Sequence, residues 1–156
     1  GINGRLDTLQ AAILLAKFEI FSEEVALRQT VAQRYTNLLA SSNIEHRTLN
    51  VEHASLVTPH IPAGYLSAWA QYSLLAKDED HRTTLLKKLQ DNKIPSAIYY
   101  PKPLHMQTAF AHLGYKEVDF PVSEDCASRI FSLPMHPYLN AEDQEKIVKV
   151  IAVDNP

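Results

Sequence analysis

Hydrophobic positions follow a helical spacing through residues 1–42. Apolar side chains recur at steps of three and four, first at Leu6, Leu9, Ile13, Ala16 and Ile20 and then at Leu27, Val31, Tyr35 and Leu38. Asp7, with Gln10 three residues later, predicts a helix start that resembles a capping box. An unbroken helix over this stretch would exceed ~50 Å. We therefore predict a break near Ser22, where Glu23 and Glu24 suit the first turn of a second helix.

The first predicted helix is apolar on every side over residues 11–16, the longest apolar run in the chain. A helix that lies on a single core keeps a polar stripe on its far side. The run therefore predicts that this helix contacts protein on two sides. Part of its partner would then belong to another domain or to another subunit.

The rest of the chain alternates between short strands and helices. Strands are predicted at residues 68–75, 94–100 and 130–133, with a further short one near residues 44–49. Helices are predicted after a cap at Asp78 or Asp80 with a left-handed exit at Asn92, from His105 to Gly114, at residues 121–129 and after a cap at Asn140. This order predicts an α+β domain of two layers, a small sheet with helices on one face.

Composition excludes several classes of function. The 156 residues suffice for one ordinary domain, with 46% hydrophobic and 21% charged residues. A net charge of -3 without a run of Lys or Arg disfavours nucleic-acid binding. The longest apolar run is far shorter than the roughly 20 residues of a membrane span. The single cysteine, Cys126, excludes an internal disulfide and is compatible with a reducing cytoplasm.

The histidines and the cysteine do not predict a metal site or a nucleophile. His105 and His112 are seven residues apart on a predicted helix, about 10 Å along its axis, which is too far to share one ion. Three more histidines lie in an irregular stretch without a close pair, at His46, His53 and His60. Cys126 lies within a predicted helix among small residues, where a buried structural thiol is expected.

Two proline-containing segments place polar aromatic side chains where predicted strands end. Residues 98–105 hold Tyr99, Tyr100 and His105, and residues 133–139 hold His136. One interpretation is that the prolines only end the strands and the aromatic rings cover the edge of the core, and composition alone favours it. Loops at strand ends of a rigid scaffold are nevertheless common places for a ligand site.

Four segments taken in order carry a family resemblance: GINGRLDTLQAAIL, SAWAQYSL, IYYPKPLH and SLPMHPYL. Each is weak alone, but together the chain resembles the C-terminal part of the DegT/DnrJ/EryC1/StrS nucleotide-sugar aminotransferases. Those are pyridoxal-phosphate (PLP) enzymes of the aspartate-aminotransferase fold, fold type I. The resemblance implies that the α+β domain is the small C-terminal domain of such an enzyme, preceded by a long interdomain helix.

The resemblance also implies roles for individual residues. Asn3 matches an asparagine that reaches the cofactor phosphate of the neighbouring subunit. Arg5 matches an arginine that projects toward the neighbour's substrate, where a guanidinium suits a carboxylate or phosphate. Tyr99 and Tyr100 match a His-Tyr pair that lines the sugar-nucleotide site, with Tyr in place of the commoner His. Two histidines beside these positions are further candidates for substrate binding, His105 and His136.

The family's cofactor lysine, its ring-stacking aromatic residue and its ring-nitrogen aspartate belong to a large N-terminal domain. None of the nine lysines here stands in the family's Ser/His-x-x-Lys context. We therefore expect a fragment without catalytic residues and without activity of its own. Residues 1–42 would form interdomain and dimer-facing helices, and residues 43–156 the small domain.

For the intact protein the resemblance implies a cytoplasmic, homodimeric enzyme. Glutamate would donate an amino group through PLP to a keto group on a nucleotide-linked hexose, with UDP-linked sugars favoured. The product would serve amino-sugar synthesis for surface polysaccharide or lipopolysaccharide. Two alternatives stay open: a PLP-dependent sugar dehydratase or regulatory relative of the same family, and a non-catalytic binding domain. The binding domain predicts a polar outer face on the first helix, which residues 11–16 contradict.

Overall fold

A computed structural model describes residues 4–42 and 56–152 of the protein. The first element is one continuous helix, α1 (Thr8–Ser41), of 34 residues, about 51 Å long at 1.5 Å per residue. The predicted break near Ser22 is wrong. Residues 8–41 contain no Gly or Pro, so nothing there interrupts the backbone hydrogen bonds of the helix.

The predicted start of α1 is confirmed by its capping geometry. The side chain of Asp7 accepts a hydrogen bond from the backbone N–H of Leu9 at 2.7 Å. Gln10 reaches back, and its Oε1 accepts from the N–H of Asp7 at 3.4 Å. This capping box satisfies backbone groups that would otherwise lack partners in the first turn.

Three short strands form an antiparallel sheet in the order β1-β2-β3, with β1 at Leu56–Val57, β2 at Tyr72–Ala76 and β3 at Ile130–Leu133. One face is apolar and buried, and pairs Leu56 with Ala76, Leu74 with Phe131 and Tyr72 with Leu133. On the other face the hydroxyls of Ser73 and Ser132 lie 2.8 Å apart. The strand predicted at residues 130–133 is confirmed as β3.

Two other predicted strands are shorter than expected. The strand predicted at residues 68–75 begins only at Tyr72, because Trp69 has a φ of 49° and leaves the extended conformation. Residues 94–100 contribute a single bridge, Ala97 with Ser132. Pro95 has no N–H to donate to a longer ladder. The strand predicted near residues 44–49 lies outside the described residues.

The helices α2 (Glu79–Asp91), α3 (Pro121–Arg129) and α4 (Ala141–Ala152) follow the sequence prediction. Asp78 caps α2 through the N–H of His81 at 2.8 Å. Asn140 accepts from the N–H of Asp143 at 2.8 Å and caps α4. The left-handed exit from α2 is at Lys93, with a φ of 58°, rather than at Asn92.

The helix predicted from His105 to Gly114 consists of two 3₁₀ helices, Leu104–Met106 and Thr108–Leu113. Gly114 ends the second with a φ of 75°, a conformation that glycine adopts without steric cost.

Taken together, the three strands and the helices form a small α+β domain, which confirms the predicted fold class.

The second half of α1 packs on this domain. Its buried side chains join the core of the sheet and of α2 and α4, which contains Tyr35, Leu39, Tyr72, Leu74, Leu85, Leu89, Phe131, Ile147 and Ile151. The rings of Tyr35 and Tyr72 lie 5.0 Å apart between centroids. Burial raises the pKa of both hydroxyls, that of Tyr72 to about 12.

Polar contacts also fix the second half of α1 to the domain. Arg34 donates to the side-chain oxygen of Gln144 on α4 at 2.8 Å, and Gln144 donates to the carbonyl of Val31 at 2.9 Å. Near the middle of the helix, Arg28 donates to the carbonyl of Trp69 at 2.9 Å. Within the described part of the chain, no helix is long and apolar enough to span a membrane.

Candidate functional site

The first half of α1 exposes a large apolar surface. Leu9 is 75% exposed and Phe18 is 67% exposed. Successive residues of a helix are about 100° apart, so the exposed residues point to every side. They are Leu9, Ile13, Leu14, Leu15, Phe18, Ile20 and Phe21, and Leu6 is exposed just before the helix. Arg5 is exposed just before this surface. Asn3, the predicted contact to the cofactor phosphate, lies outside the described residues.

A cavity of about 500 Å³ lies between the segment that follows Ala97 and helix α3. Tyr100 and His105, two of the predicted substrate-binding residues, both line it. Its other walls are mostly apolar, with polar groups from Lys102, Gln107 and Ser123. This combination of apolar walls and a few polar groups is typical of a small-molecule site.

His105 lines this cavity, and its imidazole is bound by the carboxylate of Glu124. Its Nε2 lies 2.9 Å from Oε1 of Glu124, and the two side chains are only 7% and 19% exposed. The imidazole also packs against Phe120, with ring centroids 4.7 Å apart. When the imidazole is neutral and its Nε2–H donates to the carboxylate of Glu124, Nδ1 is the ring nitrogen left as an acceptor.

Glu124 also binds two backbone N–H groups. Val118 donates to its Oε2 at 2.9 Å and Phe120 to its Oε1 at 3.2 Å. The N–H of Val118 first, and then the N–H of Phe120 and the side chain of His105, hold the pKa of the Glu124 carboxyl below its ordinary value. The carboxylate therefore stays ionised at neutral pH and joins two segments of the chain.

Val118 adopts an unfavourable backbone conformation at this point. Its φ is 71°, which is a genuine outlier for a β-branched residue. Such a conformation costs about 1–3 kcal/mol and persists only where neighbouring contacts hold it. The side chain of Val118 is 76% exposed, so packing of the side chain does not supply that support. The contacts available are the hydrogen bond from the N–H of Val118 to Glu124 and the hydrogen bonds between Lys116 and Asp119 on either side of it.

The remaining predicted site residues lie elsewhere. Tyr99 lines a separate cavity of about 140 Å³ together with Gln71 and Ser132. His136 is exposed in the loop after β3, and it lines neither this cavity nor the larger one. Of the four predicted substrate-binding residues in the two proline-containing segments, the structure therefore brings together only Tyr100 and His105.

Sequence reasoning missed the role of Glu124. Glu124 lies in the first turn of α3, where an acidic side chain is common and needs no further explanation. Phe120, the residue before α3, has no side-chain atom that could cap the helix. Its presence there could have indicated that Glu124 accepts hydrogen bonds from the N–H groups just before the helix. Cys126 was expected to be buried, but it is half-buried and lines the cavity.

The described residues do not by themselves fit a PLP site. PLP enzymes place a lysine against the cofactor and an acidic partner at its ring nitrogen. Eight of the nine lysines in this chain are exposed, and the remaining one, Lys88, is half-exposed on α2. Over residues 4–42 and 56–152, no three His, Cys, Asp or Glu side chains are grouped as metal ligands either.

Comparison with known proteins identifies the relatives of the chain. Over 90% of its length it is 41% identical to the UDP-2-acetamido-2-deoxy-3-oxo-D-glucuronate aminotransferase of Pseudomonas aeruginosa. Over 97% it is 38% identical to the Pleiotropic regulatory protein of Geobacillus stearothermophilus. It spans only 34% and 38% of the lengths of these two relatives.

A solved structure supports the same assignment. The crystal structure of a DegT DnrJ EryC1 StrS aminotransferase from Brucella abortus matches with a TM-score of 0.78 and 46% identity, over 97% of this chain and 36% of that one. The model of the DegT/DnrJ/EryC1/StrS aminotransferase family matches residues 1–152. The chain therefore belongs to the DegT/DnrJ/EryC1/StrS aminotransferase family.

Proposed function

We propose that the intact protein is a PLP-dependent aminotransferase that aminates a keto group on a UDP-linked hexose. The observation that carries this proposal is the 41% identity, over 90% of the chain, to an aminotransferase named for a UDP-linked 3-oxo-glucuronate. The amino donor is glutamate. The product is an amino sugar for surface polysaccharide or lipopolysaccharide, made in the cytoplasm.

In this proposal the chain supplies part of the substrate site. Tyr100 offers a phenol hydroxyl at the mouth of the cavity, and Nδ1 of His105 accepts a hydrogen bond from a sugar hydroxyl. Tyr99 and His136 contact parts of the substrate outside the cavity. PLP, bound mainly by residues outside this chain, supplies the chemistry that moves the amino group.

The long helix links this chain to the rest of the enzyme. Residues 1–42 form the interdomain and dimer-facing segment, and residues 43–156 the small domain. The exposed apolar surface of α1 supports this division, since seven large exposed side chains along the first half of one helix need protein partners. In the homodimer, Arg5 reaches the neighbour's substrate and Asn3 the neighbour's cofactor phosphate.

A regulatory protein is the second candidate. The observation in its favour is the 38% identity to a relative that is named for regulation. A regulator that has lost catalysis would still keep the fold and the cavity. It would not turn over a keto sugar.

The test uses the intact protein with PLP, glutamate and a UDP-linked 3-keto uronate. We expect 2-oxoglutarate to form over many turnovers, whereas a UDP sugar without a keto group should give no more than the one equivalent per active site that glutamate releases by itself. Tyr100→Phe should raise the KM for the keto sugar several-fold, whereas Tyr65→Phe, an exposed tyrosine outside the cavity, is the matched control. Absence of 2-oxoglutarate beyond that first equivalent with every nucleotide-linked keto sugar tried would contradict the proposal and favour the regulator.

A further inference from the structure

We propose that Glu124 is a positioning residue of the substrate site, which holds His105 and the turn at residues 116–120 in place as one wall of the cavity. This inference rests on the proposed function. Glu124 is not among the residues that line the cavity of about 500 Å³. Its effect on substrate must therefore pass through the groups that it binds.

One carboxylate joins two segments that are separate in sequence. On one side it binds Nε2 of His105, from the 3₁₀ helix Leu104–Met106. On the other side it accepts the N–H groups of Val118 and Phe120. His105 and Phe120 both line the cavity, and their rings are in contact. The carboxylate of Glu124 is thus a support that two walls of the cavity share, in addition to the hydrogen bonds between Lys116 and Asp119 within the turn.

The positive φ of Val118 is an unfavourable backbone conformation, and the hydrogen bond from its N–H to Glu124 helps to maintain it. A valine with a φ of 71° returns to ordinary backbone space once its neighbours allow it. Phe120 is two residues further on, so a change of backbone at Val118 moves the ring that packs on His105. Loss of the carboxylate would therefore widen the cavity and release the imidazole together.

Glu124→Gln in the intact protein tests the inference. The amide has nearly the same size, but it keeps one acceptor oxygen in place of two, so it cannot serve His105, Phe120 and Val118 together. We expect the KM for the UDP-linked keto sugar to rise about tenfold with kcat changed less than twofold. The half-reaction with glutamate alone should keep its rate, because no nucleotide sugar takes part in it.

Two further variants separate positioning from general damage. Glu117→Gln removes an exposed carboxylate from the same turn and should leave KM within twofold. Val118→Gly should recover part of the KM lost in Glu124→Gln, since glycine adopts a positive φ freely. Equal losses in both half-reactions of Glu124→Gln, or no recovery in the double variant, would overturn the inference.

Hydrogen exchange gives a readout that does not depend on turnover. The amide proton of Val118 should exchange at least tenfold faster in Glu124→Gln than in the unsubstituted protein, and at an unchanged rate in Glu117→Gln. Faster exchange in a protein that aminates no keto sugar would refute the proposed function and leave the support of the turn by Glu124 intact. Unchanged exchange in Glu124→Gln would overturn the inference whatever the activity.

Discussion

The two halves of α1 belong to one helix but have opposite surroundings. From Val31 to Leu39 the apolar side chains are buried against the sheet and α4, and Gln144 binds the helix backbone. From Leu9 to Phe21 apolar side chains of similar size are exposed on all sides. Helical spacing of apolar residues is present in both halves. What differs is the packing partner: residues 31–39 have one among the described residues, whereas residues 9–21 have none there.

The largest expected difference between the halves concerns stability. Leu39→Ala removes a fully buried side chain and should lower the free energy of unfolding by about 2–5 kcal/mol. Leu9→Ala changes a side chain that is 75% exposed and should stay within about 0.5 kcal/mol. Urea titrations of the 156-residue chain measure both values. Equal losses for the two variants would mean that the first half is packed after all.

A smaller effect is expected from the cap of α1. Asp7→Ala removes the capping box and should weaken the first turns by about 1 kcal/mol. Because the apolar side chains of residues 9–21 are exposed in the part of the chain that the structure describes, the loss should appear locally, as about fivefold faster amide exchange near residues 8–14. The midpoint of global unfolding should not move. A shift of that midpoint equivalent to the full loss would show that both halves unfold together.

The smallest effect concerns how the stability of the small domain, which contains Glu124, depends on pH. The pKa of Glu124 is lowered in the folded state, so its contribution to stability is complete above about pH 4.5 and is lost as the pH falls through the lowered pKa. Glu124→Gln should therefore be less stable than the unsubstituted chain near pH 7, and the gap should close in acid. His105 binds this carboxyl, and further charged groups line the adjoining cavity with it, Glu79, Arg82, Lys102 and Glu117. A gap that widens in acid would contradict this assignment.

Features fixed by local contacts could be predicted from the sequence. The cap at Asp7, the start of α3 at Pro121 and the cap at Asn140 each depend on residues no more than three positions apart. The break expected at Ser22 was wrong because exposed polar residues are compatible with a continuing helix. The strand expected at residues 94–100 was wrong because pairing depends on a distant partner, and only Ala97 finds one.

The candidate site shows the same difference between local contacts, which the sequence predicts, and distant contacts, which depend on the fold. Tyr100 and His105 were predicted together because they are neighbours in one proline-containing segment. Glu124, 19 residues from His105, could not be paired with it before the fold was known. Tyr99 is adjacent to Tyr100 in sequence, yet the two residues line different cavities. Proximity in sequence therefore identified the segment, and the fold identified the carboxylate that supports it.

The central claim is that the first half of α1 is covered by protein outside this chain. Amide hydrogen exchange over residues 8–21 tests it most directly, with the intact protein compared with the 156-residue chain under the same conditions. We predict that these amides exchange at least about 100-fold more slowly in the intact protein, while those of residues 31–39 change little. Equal exchange over residues 8–21 in the two proteins would contradict the claim.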